Sequence, residues 1–350
     1  MSMVGFRENQ FMVREAVSQV CAEFPNTYWQ ERDQDEKDPK DFHAALAKSG
    51  WLGMAGAQSV HANLYATQPL AKFGSQEQLQ ITVPKIVSGQ TRVCFGVTEP
   101  NAGLDTLRLA TTAKKNSDGS YRVTEQKIWI TCAQVASKMI LLARTTPLEE
   151  VRNPSEGLPL FCIDIGDRKK PGLDLRKIKK MGSRAVDANE VFFNNYQISA
   201  DSLIAGEALG LGYATLKKAS EYAKERVVFQ RPIGQNQAIA HPLADGFMRL
   251  EAAKLATYHA ARYYDQSKTD RSVRQDEIRV AANSAKYLAA EAAFTACERA
   301  VLTHGGIGYA MEYDVERWFR ECLVPRIAPI SREMILNYIS ERVLELPRSY

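Results

Sequence analysis

No run of apolar residues in this 350-residue chain is long enough to cross a bilayer, which takes about 20 residues as a helix. No membrane span is therefore expected. The six cysteines (Cys21, Cys94, Cys132, Cys162, Cys297 and Cys322) lack framework or metal-ligand spacing, and the five histidines make no ligand pair at helical spacing. We expect no metal, and reduced, buried thiols as in an intracellular protein. Charge of one sign is not in excess: 45 basic against 41 acidic residues give a net charge of +4. Without a basic stripe interleaved with aromatics, no nucleic-acid partner is expected. The first fifteen residues have no apolar signal core and carry acidic Glu8 and Glu15. The C-terminal Pro347-Arg348-Ser349-Tyr350 is not of the peroxisomal type. The expected location is intracellular, with cytoplasm, mitochondrion and peroxisome left open. Repeats and low-complexity tracts are also missing.

What the chain does contain is helical period at both ends and strand signals between them. Apolar residues from Phe6 to Phe24 recur at helical spacing, and Asp41–Lys48, His61–Phe73 and Gln76–Val87 predict further short helices. From Thr111 to Tyr196 strands dominate, with Asn116-Ser117-Asp118-Gly119 as a hairpin turn and short apolar strands at Met139–Ala143 and Leu160–Ile165. The basic cluster Lys177, Lys179, Lys180 and Arg184 reads as a solvated strand edge that resists pairing. Ala214–Phe229, Gln237–Tyr264, Glu277–His304 and Asp314–Cys322 predict a bundle of long helices. Its alanine-rich face (Ala281, Ala285, Ala289, Ala292 and neighbours) suits internal packing or a second subunit equally. The length allows two or three subdomains.

The stretch from Phe95 to Thr131 is the centre of this organisation. It opens on a loop, Phe95-Gly96-Val97-Thr98-Glu99-Pro100-Asn101-Ala102-Gly103-Leu104-Asp105-Thr106. Pro100 fixes φ, while Asn101 and Gly103 tolerate the left-handed region and would let backbone N–H groups point outward together. Such a loop can hold an anionic or heteroaromatic ligand, or be an ordinary connection. Trp129 and Thr131, two apart, share one face of a strand. That pairing suits a flat polar ring and suits a core edge equally well. On the residues alone both readings stand.

Val97-Thr98-Glu99-Pro100-x-Ala102-Gly103-x-Asp105, followed by Trp129-Ile130-Thr131, resembles the flavin-binding signature of the acyl-CoA dehydrogenase family. The likeness extends to the last residue. It implies an α+β fold: a helical N-terminal domain (1–92), a central β-barrel-like flavin-binding module (93–200) and a C-terminal four-helix bundle (201–350). It implies bound FAD, contacted by Phe95, Val97, Thr98, Gly103, Leu104, Trp129 and Thr131. From a neighbouring subunit it adds Arg226 on the pyrophosphate, Phe229, Gln237 and the Gly305-Gly306 backbone, with Ser331 near the flavin. Gln230 departs from the family's usual glycine. The implied reaction is α,β-desaturation of an acyl-CoA with hydride transfer to flavin, in fatty-acid or specialised metabolism. The implied acceptor is an electron-transfer flavoprotein or oxygen, and the implied assembly a homotetramer or homodimer.

The same resemblance exposes two gaps. Trp51-Leu52-Gly53 runs directly into Met54-Ala55-Gly56, where the family has a glycine-rich loop and a further helix. Leu203-Ile204 passes directly into Ala205-Gly206, where the family has a loop and the helical turn carrying one of its two catalytic bases. The other base position aligns with Pro329, which cannot take a proton. The catalytic residue is thus unassigned. Three carboxylates remain as substitutes: Asp201, nearest the lost position, Glu207, about two turns further along the helix, and Glu99, to which the resemblance gives a structural role in the flavin loop; Glu333 is a remoter fourth. A second reading follows, a non-catalytic flavin- or CoA-binding relative.

Overall fold

The structure is a computed structural model that describes residues 8–53, 67, 69–70, 74–198, 209–267, 269–270, 272–328 and 330–348. The chain divides into two compact units, Met1–Gly206 and Glu207–Tyr350. The predicted helix His61–Phe73, the Gly53-Met54 junction and the Leu203-Ile204 junction lie wholly or largely outside the described residues.

The first unit opens with helices α1 (Glu8–Ala22), α2 (Asn26–Gln34) and α3 (Lys40–Lys48). Sequence periodicity misses α2, because Asn-Thr-Tyr-Trp-Gln-Glu-Arg-Asp-Gln has no apolar stripe to read. Tertiary packing holds it instead. Trp29 meets the Phe42 ring edge-on at 4.9 Å, and Tyr28 meets Phe24 at 5.0 Å. Helix α4 (Gln76–Val87) starts on a reciprocal cap in which Ser75 and Gln78 exchange hydrogen bonds, and it carries Pro84 in its last turn.

Two sheets follow. One has the order β1 (Val93–Gly96), β4 (Lys138–Leu142), β5 (Leu160–Asp164), with β1 and β4 parallel. The other is antiparallel, in the order β2 (Thr112–Lys115), β3 (Tyr121–Thr131), β7 (Ala188–Ile198), β6 (Leu173–Lys177). Strand alternation divides the labour: Cys94, Met139, Leu141, Phe161 and Ile163 join Ala113, Val123, Ile130, Val191 and Phe193 in one core. Their neighbours Val93, Ile140 and Cys162 face the other way and pack on Ile86 of α4 and on Leu70.

The basic cluster does lie at a sheet edge, with β6 outermost and Lys177 and Lys179 exposed, but two of its cations are paired rather than only solvated. Lys177 Nζ meets Glu36 at 2.8 Å, and Arg184 closes on the buried Asp33 carboxylate at 3.0 Å. A carboxylate taken out of water needs a cation beside it, and these two pairs fasten the end of α2 to the β6–β7 connection. The expectation of uniformly buried thiols also needs correction, because Cys21 is exposed while the other five are buried.

The second unit contains α5 (Leu209–Glu225), α6 (Gln237–Gln266), α7 (Gln275–His304) and the shorter α8 (Val315–Glu321), α9 (Val324–Ile327) and α10 (Arg332–Arg342). Three long helices and α10 pack as a bundle around α7. Leu216, Ala219 and Ala223 of α5, Leu243, Leu250 and Ala253 of α6, and Ala289, Ala292, Ala296 and Ala300 of α7 belong to one buried cluster. From Ala285 onward the alanine stripe is internal, while Ala281 is half-buried and Ala282 exposed, and helix approach is close enough that a Cβ on Gly212 would lie 2.5 Å from Leu250.

His43 on α3 is 3% exposed, and burial, reinforced by Arg92 and opposed by Asp38, pulls its pKa from 6.5 to about 4. The neutral ring is favoured in the folded state, so its contribution is whole above 6.5 and is lost as pH falls from 6.5 towards 4. Denaturant titrations at neutral and acid pH should show His43→Gln losing up to ~3 kcal/mol less stability than wild type over that interval. Equal losses would contradict this assignment.

Candidate functional site

The loop after β1 is set by one buried carboxylate. Glu99 and Ala102 bracket a tight turn, with Ala102 N–H donating to Glu99 O at 3.2 Å and the reverse bond at 3.3 Å. Neither Asn101 nor Gly103 has a positive φ, so the left-handed backbone expected of them is absent; Pro100 at the second turn position suffices. The Glu99 side chain points inward. It accepts from Ala110 N–H (2.6 Å), Thr111 N–H (2.9 Å), the Thr111 hydroxyl and Lys127 Nζ (2.7 Å). Burial alone would raise this carboxyl, but Lys127, Thr111 and Ala110 outweigh it and hold it below its ordinary value. Lys127 is 0% exposed. Burial pulls its ammonium down to about 8 against the upward pull of Glu99. Its second bond goes to Val97 O at 3.0 Å.

The strand that carries Lys127 is bulged. Lys127 pairs with Val191 and Ile130 with Asn189, so β3 advances three residues while β7 advances two. The displaced Ile128 N–H donates to Thr98 O at 2.9 Å, and the buried Asn189 amide donates to Ile130 O at 3.0 Å. Lys127 and Ile130 thereby both point inward, while Trp129 (φ 62°, 54% exposed) and Thr131 point outward. The shared outward face expected for this pair is present, but a bulge makes it rather than plain alternation. Buried Arg144 steadies the outgoing chain by donating to Leu107 O (2.8 Å), Pro154 O (3.0 Å) and Glu156 O (3.1 Å). Phe95, Val97 and Thr98 are half-buried along this edge, and Gly103 and Leu104 are exposed. A Cβ on Gly103 would meet nothing within 4 Å, so its smallness serves no contact within the protein.

In the second unit, α5 ends at Glu225, short of the predicted Phe229. Val227–Val228 and Arg231–Pro232 form a two-residue hairpin with Phe229 (φ 50°) and Gln230 (φ 63°) at its tip. Two positive φ values are the mark of a type I′ turn, so the tight turn survives without the usual glycine. It leaves Phe229 94% exposed. Arg226, at the hairpin's base, is exposed, and no hydrogen bond or ion pair is found for its guanidinium among the described residues. Gln237 is the exposed first residue of α6. The glycines after α7 differ in kind. Gly308 is required by packing, since a Cβ would lie 2.3 Å from Val301 O, whereas Gly305 (φ 61°) and Gly306 face open space. Ser331 caps α10, its hydroxyl accepting from Met334 N–H at 3.4 Å.

No base emerges among the described residues. Asp201, Glu207 and Pro329 lie outside them. Glu99 is committed to Lys127, and the Glu333 side chain is 69% exposed beside Arg332. The sequence reading gave Glu99 a structural role but missed Lys127, whose signal was a lysine at an inward position of a strand facing an acidic loop.

Helices, a two-sheet module and a helical bundle, in that order, are the architecture of acyl-CoA dehydrogenases. The middle domain of that family matches residues 94–196 and its C-terminal domain matches residues 202–344. An acyl-CoA dehydrogenase of Mycobacterium tuberculosis is 30% identical over 395 positions, covering 98% of each chain. A caffeyl-CoA reductase–Etf complex subunit of Acetobacterium woodii is 30% identical, covering 78% of this chain and 73% of its own. The solved butyryl-CoA dehydrogenase of Megasphaera elsdenii superposes with a TM-score of 0.82 at 26% identity, covering 98% of this chain and 100% of its own. The chain belongs to the acyl-CoA dehydrogenase family, whose members are FAD-binding oxidoreductases. The mycobacterial alignment spans 395 positions against 350 residues here, so this chain lacks internal segments that its relative has. The residues present fit such a cofactor: open glycine backbone at 103, 305 and 306, an exposed indole, and a guanidinium with no partner found among the described residues.

Two stability measurements check this geometry. Glu99→Gln or Lys127→Met alone leaves a buried charge without its partner and should cost about 3–5 kcal/mol. The double variant should lose less than the sum, and strict additivity would refute the pairing. Gln230→Gly should raise stability by ~0.5 kcal/mol, because left-handed backbone is strained for glutamine. A lower melting temperature would place another constraint on the turn.

Proposed function

We propose that this protein is an FAD-dependent oxidoreductase that desaturates an acyl-CoA thioester between its α and β carbons. The observation that carries the proposal is the loop pinned by Glu99 and Lys127, with its open glycine backbone beside the outward Trp129 and Thr131. In this reading Phe95, Val97, Thr98, Gly103, Leu104, Trp129 and Thr131 hold the flavin ring, the indole offering a flat face and the threonine a hydroxyl. Arg226 supplies a forked donor for the pyrophosphate. Phe229, Gln237, Gly305, Gly306 and Ser331 complete the contacts from a second copy of the chain in a homodimer or homotetramer. When bound, FAD supplies the acceptor for the β-hydride. The protein must supply a carboxylate for the α-proton in a dry pocket, with Asp201 and Glu207 as the candidates. The relative named as part of a reductase–Etf complex supports an electron-transfer flavoprotein as acceptor, with oxygen as the alternative.

Pro329 at one base position, with the segment bearing the other missing, favours a second reading. In it the protein binds flavin or CoA without turning over. A visible spectrum of the purified protein, before and after anaerobic addition of mixed acyl-CoAs, separates the two. Bleaching of a flavin band is expected for the dehydrogenase and an unresponsive flavin band for the non-catalytic relative; a protein unable to take up FAD would contradict the first reading, and one that binds neither FAD nor acyl-CoA would contradict both. Arg226→Ala should weaken flavin binding by about 10- to 100-fold, the worth of a charged hydrogen bond. Unchanged flavin content would remove Arg226 from the site.

A further inference from the structure

We infer that His304 is a positioning residue of the proposed flavin site: its neutral ring, stacked with Tyr222 and Tyr313, ties the Gly305-Gly306 turn to the helix end that carries Arg226. The inference rests on the flavin reading above and adds a dependence on pH to it. His304 is the last residue of α7 and immediately precedes Gly305. Its ring lies on that of Tyr222 at 4.1 Å with an interplanar angle of 18°. Tyr313 closes the cluster edge-on, 5.8 Å from His304 and 6.1 Å from Tyr222. Tyr222 stands one helical turn before Arg226, whose N–H donates to Tyr222 O at 2.9 Å. The His304 Cβ also backs Gly308, where an added Cβ would come within 2.9 Å of it. One ring stack thus joins the two proposed contact elements of this unit.

The stack favours the neutral imidazole. His304 is 4% exposed, and its Nδ1 lies 2.8 Å from Ala300 O, which can only accept, so Nδ1 carries the hydrogen. Nε2 is buried and has no hydrogen-bond partner among the described residues. Protonating it would place a charged N–H where none of those residues accepts it, a far larger cost than a lone pair left unused. The facing groups do not help. Lys218 and Tyr222 approach from α5 and Tyr313 from the segment after the glycine turn, and Lys218 in turn meets Asp314. Asp314, the carboxylate among these, is already shared by Lys218 at 3.0 Å and Arg317 at 2.9 Å. The Tyr222 face offers an imidazolium some compensation. Burial and Lys218 outweigh it and hold the pKa below 6.5 despite the Ala300 bond. With a depressed folded-state pKa, the contribution is whole above 6.5 and is lost as pH falls below it.

The test is FAD binding to the flavin-free full-length protein, followed by flavin fluorescence from pH 7.5 to 5, with circular dichroism reporting the fold. Wild type should bind about tenfold more weakly at the acid end, as expected when the competent state gains about 1.4 kcal/mol less. His304→Phe keeps a ring on Tyr222 but cannot be protonated, so its affinity should vary less with pH. His304→Ala removes the stack and should bind more weakly throughout. A pH-independent wild type, or a His304→Phe profile parallel to a falling wild-type one, overturns the inference while leaving the flavin reading intact. Wild type that binds no FAD at any pH overturns both. If His304→Ala does not fold, the comparison of His304→Phe with wild type still decides.

Discussion

The buried ion pair between Glu99 and Lys127 is the constraint on which the first unit's candidate site depends. A carboxylate and an ammonium removed from water hold only if further hydrogen bonds support the pair. Here Ala110 and Thr111 donate to the carboxylate, and Val97 O accepts a second hydrogen of the ammonium. Those bonds tie the turn at Glu99-Pro100-Asn101-Ala102 to the start of β2 and to the middle of β3. The bulge at Ile128-Trp129 follows from the same knot. Its freed N–H goes to Thr98, and the extra residue turns Trp129 outward while Ile130 re-enters the core. The shape offered to a ligand is built from charges that the ligand does not touch.

The second unit reaches a comparable result with backbone conformation. A type I′ tip throws Phe229 into the open and leaves Arg226 at the base of a hairpin. The turn after α7 has three glycines of three kinds: one that sets a left-handed φ, one that faces open space, and one pressed on a carbonyl. Only the last is required by the bundle's own packing. Position 306 is small with no internal contact to demand it, which is how a surface shaped for another molecule reads.

Much of the fold was legible in the chain. Long amphipathic segments gave α6 and α7 within two residues of their ends, and the Asn116–Gly119 turn was plain between β2 and β3. The exceptions share a cause. Helix α2 has no apolar period, and side chains outside it, the flanking Phe24 and Phe42 and the distant Arg184, stabilise it. The bulge at Trp129 depends on Asn189 and Thr98, which no local pattern connects to it. Helix α5 was extended through Phe229 because apolar spacing cannot announce two consecutive left-handed residues without glycine. The pairing of Lys177 and Arg184 at their sheet edge was not legible because the carboxylate partners Glu36 and Asp33 lie 141 and 151 positions earlier. The proposed site residues come from family resemblance, and the groups that support them come from structure alone.

The most direct measurement is amide hydrogen exchange at Thr111 and Ile128 in the flavin-free protein. If the Glu99–Lys127 pair preforms the loop, both amides should exchange only on unfolding of the whole β module, as slowly as the ladder amides elsewhere in β3. Exchange of Thr111 and Ile128 at the rate of exposed loop amides, with the rest of β3 still protected, would contradict the account and make the loop's shape a consequence of the ligand.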